Sequence, residues 1–134
     1  MTSAARTLPP AIIEILKDHP EVELAVLFGS MASGRSGPHS DVDVAVMGPL
    51  PLTAEQKYVL MGDLAEISGR PVDLVDLRTA GEPILGQILR HGQRLLGDDE
   101  TWAALLSRHL LDAADFMPYV NRALEQRRRR WIGS

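Results

Sequence analysis

The stretch FGSMASGRSGPHSDVDVAV, Phe28 to Val46, decides how this chain is read. It opens as the end of an apolar run, VELAVLF (Val22 to Phe28), and turns at Gly29-Ser30. Ten residues of mostly small and turn-forming types follow before Asp41-Val42-Asp43 leads into more apolar residues. Both flanks read as strands, the second (Asp41 to Met47) alternating polar or small residues with valine. Alternate residues of a strand point to one side. Asp41 and Asp43 therefore project together, while Val42 and Val44 face a core. Two neighbouring carboxylates repel unless a positive charge joins them, and hard oxygen donors suit Mg²⁺ or Mn²⁺.

A third strand, PVDLVDL (Pro71 to Leu77), adds Asp73 and Asp76. Their odd separation puts them on opposite faces, so only one can join the first pair. Asp73, earlier on the strand and deeper in the apolar run, is the expected member; Asp76 reads as a strand-end or turn residue. Gly29 ends its strand with the residue type that lets a ligand approach the backbone. Ser30 is expected to start a short helix over MASG whose free N–H groups favour phosphate. In the loop between the motif halves, Arg35 is a candidate phosphate contact and Ser40 a candidate support for the aspartate pair. A phosphate cradle beside a carboxylate cluster is the arrangement that nucleotidyl transfer requires.

Outward from this centre, Pro9-Pro10 and AIIEILKDHP read as a short helix with proline in its first turn. Thr53 is expected to cap a helix to about Ser68, with Val59, Leu60, Leu64 and Ile67 inside and Gly69 closing it. EPILGQILRHG reads as a helix ending at Gly92, and QRLLG as a short edge strand. Asp98 or Asp99 then caps a helical tail. The predicted fold is mixed α/β: a small mixed sheet with helices on one side. Residues 1–97 are expected to form the core and 98–134 a helical extension of the same domain.

The 134 residues suffice for one core. With 45% hydrophobic, 24% charged and only 4% aromatic residues, aliphatic side chains must fill it. A net charge of −4 argues against general adhesion to nucleic-acid backbone. The absence of cysteine removes disulfides, thiolate zinc sites and cysteine nucleophiles. No signal peptide is visible and no run approaches the ~18 apolar residues that span a membrane, so a cytoplasmic location is expected.

Gly29-Ser30, ten residues, then Asp41-x-Asp43 resembles the signature of the DNA polymerase β-like nucleotidyltransferase superfamily. The wording AVLFGSMASGRSGPHSDVDVAV, continued in GRPVDLVDL and ILRHGQRLL, is similar to its minimal nucleotidyltransferases (MNT) over roughly residues 20 to 97. The resemblance implies a polymerase β-like fold with Asp41 and Asp43 holding two Mg²⁺ ions, Mn²⁺ being an alternative. It gives Asp73 to the attacking hydroxyl, and Gly29 and Ser30 to the triphosphate of ATP. Many MNT proteins are antitoxins paired with a HEPN-domain ribonuclease toxin, and some inactivate it by moving AMP to a tyrosine. The implied activity is therefore adenylylation of a HEPN-type partner. Two other readings are an antitoxin that neutralises by binding alone and transfer to a small molecule such as an aminoglycoside. Homo- or hetero-oligomers are compatible with all three.

His19, His91 and His109 show no metal-ligand spacing and read as surface or half-buried residues. Arg127 to Arg130 read as a solvated helix end, since four consecutive helical residues spread around the axis. Leu105, Leu106, His109, Leu110, Ala113, Phe116 and Met117 recur at helical spacing and are expected to cover the sheet or a neighbouring helix.

Overall fold

The computed structural model describes residues 4–29, 40–112 and 114. Its elements are α1 (Ala4–Lys17), β1 (Leu24–Phe28), β2 (Val42–Met47), α2 (Ala54–Ser68), β3 (Val72–Asp76), α3 (Ile84–His91) and β4 (Gln93–Leu96). A further helix, α4, occupies 99–112. The four strands form one sheet in the order β3-β2-β1-β4. β1 runs antiparallel to both β2 and β4, whereas β2 and β3 are parallel. The parallel step is possible because α2 supplies the crossover that parallel strands need.

Local chemistry sets the ends of α2. Thr53 accepts the Gln56 N–H while the Gln56 side chain accepts the Thr53 N–H, a reciprocal capping box. Gly69 closes the helix in the left-handed region at φ 66° and donates to the Ala65 carbonyl, a conformation that costs glycine nothing. At the start of α4, the Asp98 carboxylate accepts the Thr101 N–H at 2.8 Å and so takes the capping role. The chain enters α1 earlier than expected: the helix begins at Ala4 and carries Pro9 and Pro10 inside it. Each proline removes one backbone donor, but Leu8, Ile12 and Leu16 still align on one buried face.

Alternation along the strands creates two cores. Ala25, Leu27, Val42, Val44 and Val46 pack with Ile12 and Leu16 of α1 and Leu60 and Leu64 of α2. Leu24, Val26, Ala45 and Met47 pack on the opposite face with Leu85 and Ile88 of α3 and Leu105 of α4. The expected one-sided layer therefore describes α1 and α2 alone; α3 and α4 cover the second face, because its strand residues are also apolar. Val59 and Ile67, expected inside, lie 47% and 46% exposed, since α2 meets the sheet through the Leu60–Leu64 line alone. Leu106 and Leu110 likewise face outward, while Leu105 is buried. Ala113, Phe116, Met117 and Arg127 to Arg130 lie outside the described residues, as do Ser30, Arg35 and the short helix expected over MASG. Among the described residues no helix is long and apolar enough to cross a membrane.

Two histidines tie elements together through carboxylates. His19, at the turn after α1, is buried. Its Nδ1 lies 3.1 Å from Glu21 Oε1, and its Nε2 lies 2.8 Å from Asp63 Oδ2 on α2. Two carboxylate acceptors require both ring nitrogens to donate. Burial disfavours the imidazolium, but the two hydrogen bonds and their charges outweigh it and raise the His19 pKa. On the other face, His109 Nδ1 lies 2.5 Å from Glu82 Oε1, whose second oxygen accepts the Gly86 N–H. This pair joins α4 to the first turn of α3.

Candidate active site

The site forms where β1 ends and β2 and β3 begin. Phe28 pairs with Asp43 across the β1–β2 ladder, and Asp43 pairs with Asp73 across β2–β3. The two aspartates thus lie side by side on adjacent strands, about 4.8 Å apart in the hydrogen-bonding direction. They share the sheet face of α3 and α4, because their neighbours Val42, Val44, Val72 and Leu74 all point into the other core.

Asp43 is partly buried, whereas Asp41 and Asp73 are exposed. Burial raises the Asp43 pKa first, and the charges of Asp73 and Asp41 raise it further. The three carboxylates therefore act on one another electrostatically, although among the described residues no three acidic or histidine side chains form a ready metal-binding group. Their chemistry fits a hard divalent cation: the donors are all oxygens, and a cation would relieve the burial and like-charge repulsion that raise the Asp43 pKa.

Gly29 completes the wall behind Asp43. It adopts φ 73°, the left-handed region, and a Cβ built there would meet Asp43 Oδ2 at 2.2 Å. The aspartate carboxylate occupies the space that any other residue type would fill. Ser40 lies just before the pair, its carbonyl accepting Arg70 Nη1 at 3.5 Å. Of the residues predicted from sequence, Gly29, Asp41, Asp43 and Asp73 come together here, with Ser40 beside them.

Asp76 is kept apart. It is 5% exposed and points into the opposite face, where its carboxylate accepts the N–H groups of Leu52 and Arg78, both at 2.9 Å. It joins the loop before α2 to the turn after β3, a structural role that agrees with the sequence expectation.

A feature that the motif gave no sign of adjoins Gly29. A cavity of about 410 Å³ is lined by Phe28, Gly29, Ile84, Gln87, Ile88 and His91. The four α3 residues recur at i, i+3, i+4 and i+7, so they form one helix face. That spacing is legible in the sequence, but what the face looks onto is not.

With this geometry in view, comparison with known proteins is decisive. The family profile described as polymerase beta, nucleotidyltransferase matches residues 11–101. The chain belongs to that family. As a polymerase beta-type nucleotidyltransferase it is 38% identical, over 96 residues covering 69% of each protein, to the protein adenylyltransferase MntA of Shewanella oneidensis. In three dimensions it resembles a chain of a mutant MntA toxin–antitoxin crystal structure, with a TM-score of 0.79 and 25% identity. That match covers 88% of this chain and 96% of the other. It also resembles a chain of a toxin–antitoxin structure with AMP-PNP, at TM-score 0.71 and 28% identity, over 87% and 98% of the two chains. A third likeness is to a chain of the complex between a tri-AMPylated Shewanella oneidensis HEPN toxin and its MNT antitoxin. There the TM-score is 0.68 and the identity 26%, over 90% and 98%. The MNT resemblance drawn from Gly29-Ser30 and Asp41-x-Asp43 agrees with these relatives.

Proposed function

We propose that this nucleotidyltransferase moves AMP from ATP to a hydroxyl, that of a tyrosine, on a HEPN-type partner protein and thereby acts as its antitoxin. The observation that carries the reading is the Asp43 carboxylate, backed by Gly29 and set beside Asp73 on the neighbouring strand. The relative named as a protein adenylyltransferase and the toxin–antitoxin likenesses support the choice of acceptor.

Asp41, Asp43 and Asp73 are the residues that would hold Mg²⁺, or Mn²⁺ in its place. When bound, the cations would neutralise the triphosphate and lower the pKa of the attacking hydroxyl. Gly29 leaves the room that the Asp43 carboxylate fills; the motif assigns Gly29 and Ser30 to the triphosphate, and Arg35 in the loop between the motif halves is a further candidate phosphate contact. Asp73, exposed at the outer strand, accepts the proton of the acceptor hydroxyl. The hydroxyl oxygen forms its bond to the α-phosphorus as the bridge from α- to β-phosphate breaks, and pyrophosphate leaves with the bridging oxygen. Asp43 sits between Phe28 at the end of β1 and Asp73 on β3 in the sheet register.

The test is the intact mass of the partner after co-expression with this protein. Wild type is expected to add AMP units, and Asp43→Asn to add none while remaining folded. Modification undiminished in Asp43→Asn would refute the reading. A partner that stays unmodified yet bound and neutralised by both versions would favour an antitoxin that works by binding alone.

A further inference from the structure

A nucleoside triphosphate has two chemically unlike halves. The phosphates need positive charge or backbone donors, and the nucleoside needs apolar plates plus a few hydrogen-bonding groups. Around Gly29 the structure offers the second kind of surface in one place. The cavity between the end of β1 and α3 has Phe28, Ile84 and Ile88 as apolar walls, with Gln87 and His91 as polar groups, and no lysine or arginine among the described residues that line it. Such a lining suits an aromatic base and is a poor place for a polyanion. Its volume of about 410 Å³ lies within the range of small-molecule sites.

Position separates this cavity from the acceptor's side. The strand order is β3-β2-β1, so Asp73 and the cavity lie on opposite sides of Asp43. In the nucleotidyl-transfer reading, on which this inference rests, Asp73 faces the incoming hydroxyl. The β1 side is then left to the nucleotide, and the apolar side chains of Phe28, Ile84 and Ile88 favour its nucleoside half over its phosphates.

We infer that the cavity between β1 and α3 binds the nucleoside of the substrate, and that Gln87 reads the base. A glutamine amide presents an acceptor oxygen and donor hydrogens together, the pair that the N6 and N7 edge of adenine requires. Phe28 supplies an aromatic surface for stacking, and Ile84 and Ile88 close the far wall. The Glu82–His109 pair joins the first turn of α3, which carries that wall, to α4.

The experiment is calorimetric titration of the full chain with ATP in the presence of Mg²⁺, repeated with inorganic tripolyphosphate. Wild type is compared with Gln87→Leu and Ile84→Trp, the latter at a position exposed enough to accept a larger side chain. Each variant is expected to bind ATP about tenfold more weakly, the loss of one good polar contact or of the space for the base. Tripolyphosphate binding should not change. Gln87→Leu should also narrow the preference for ATP over GTP. ATP binding unaltered in both variants overturns the inference, as does an equal fall for tripolyphosphate, which would put phosphates in the cavity. A wild type that binds ATP with the expected variant pattern yet modifies no partner keeps the cavity assignment and removes the transfer reading. A wild type that modifies its partner, with variants binding ATP normally, removes the cavity assignment alone. Failure of wild type to bind ATP overturns both.

Discussion

Gly29→Ala tests the central packing of the site. Two costs arise, and the structure separates them. Alanine at φ 73° must adopt a left-handed conformation, which costs about 1–2 kcal/mol. Its Cβ would also stand 2.2 Å from Asp43 Oδ2, 3.0 Å from Cγ and 3.3 Å from Cβ of the same side chain. Relief requires Asp43 to leave its rotamer, at about 0.5–1.5 kcal/mol. The expected sum is about 1.5–3.5 kcal/mol in the wild-type background. In an Asp43→Ala background only the backbone cost should remain, because the two closest atoms are gone and the last contact is merely tight. Urea denaturation of the four proteins in this double-mutant cycle reads the coupling directly. Nucleotide transfer per folded molecule should fall by about 100-fold, since a displacement of about 1 Å at a reacting group costs that much. Equal destabilisation by Gly29→Ala in both backgrounds, or unimpaired transfer, would refute the claim that Gly29 exists to make room for Asp43.

Three further outcomes are expected. Asp43→Asn should unfold at a higher temperature than wild type when divalent cations are removed, because it relieves a partly buried carboxylate repelled by Asp73 and Asp41. Since the folded Asp43 pKa lies above its ordinary 3.8, the wild-type penalty is present at neutral pH and disappears as pH falls through the raised value and then 3.8. The gap between the two melting curves should close over that interval. His19 carries the opposite sign: its stabilising contribution is complete below 6.5 and is lost as pH rises through its raised folded value. A His19→Gln variant should therefore lose the part of the urea-midpoint decline that wild type shows over that window. Asp76→Ala leaves the Leu52 and Arg78 N–H groups without their acceptor and should cost about 2–4 kcal/mol. Its transfer rate per folded molecule should be unchanged, since Asp76 lies on the face away from the site.

What the sequence determined by itself was local. Strand alternation put Asp41 and Asp43 on one side and assigned Asp73 and Asp76 to opposite faces, because a period of two residues is a property of the backbone. Thr53 with Gln56, and Gly69, marked the ends of α2 for the same reason: a cap is satisfied within one turn. The glycine–serine and paired-aspartate spacing pointed to the chemistry, since phosphate and cation ligands must come from a turn and the strand that follows it. Tertiary structure decided what each face meets. Val59 and Ile67 share the apolar character of Leu60 and Leu64 but not their angle to the sheet, and periodicity cannot say how wide the buried stripe will be. The second core was hidden because Ala45 and Met47 are apolar whether or not α3 covers them. That Ile84, Gln87, Ile88 and His91 look onto Gly29 follows only from α3 packing across the β1 side of the sheet. Residues from the two ends of that cavity are more than fifty positions apart, and no local rule brings them together.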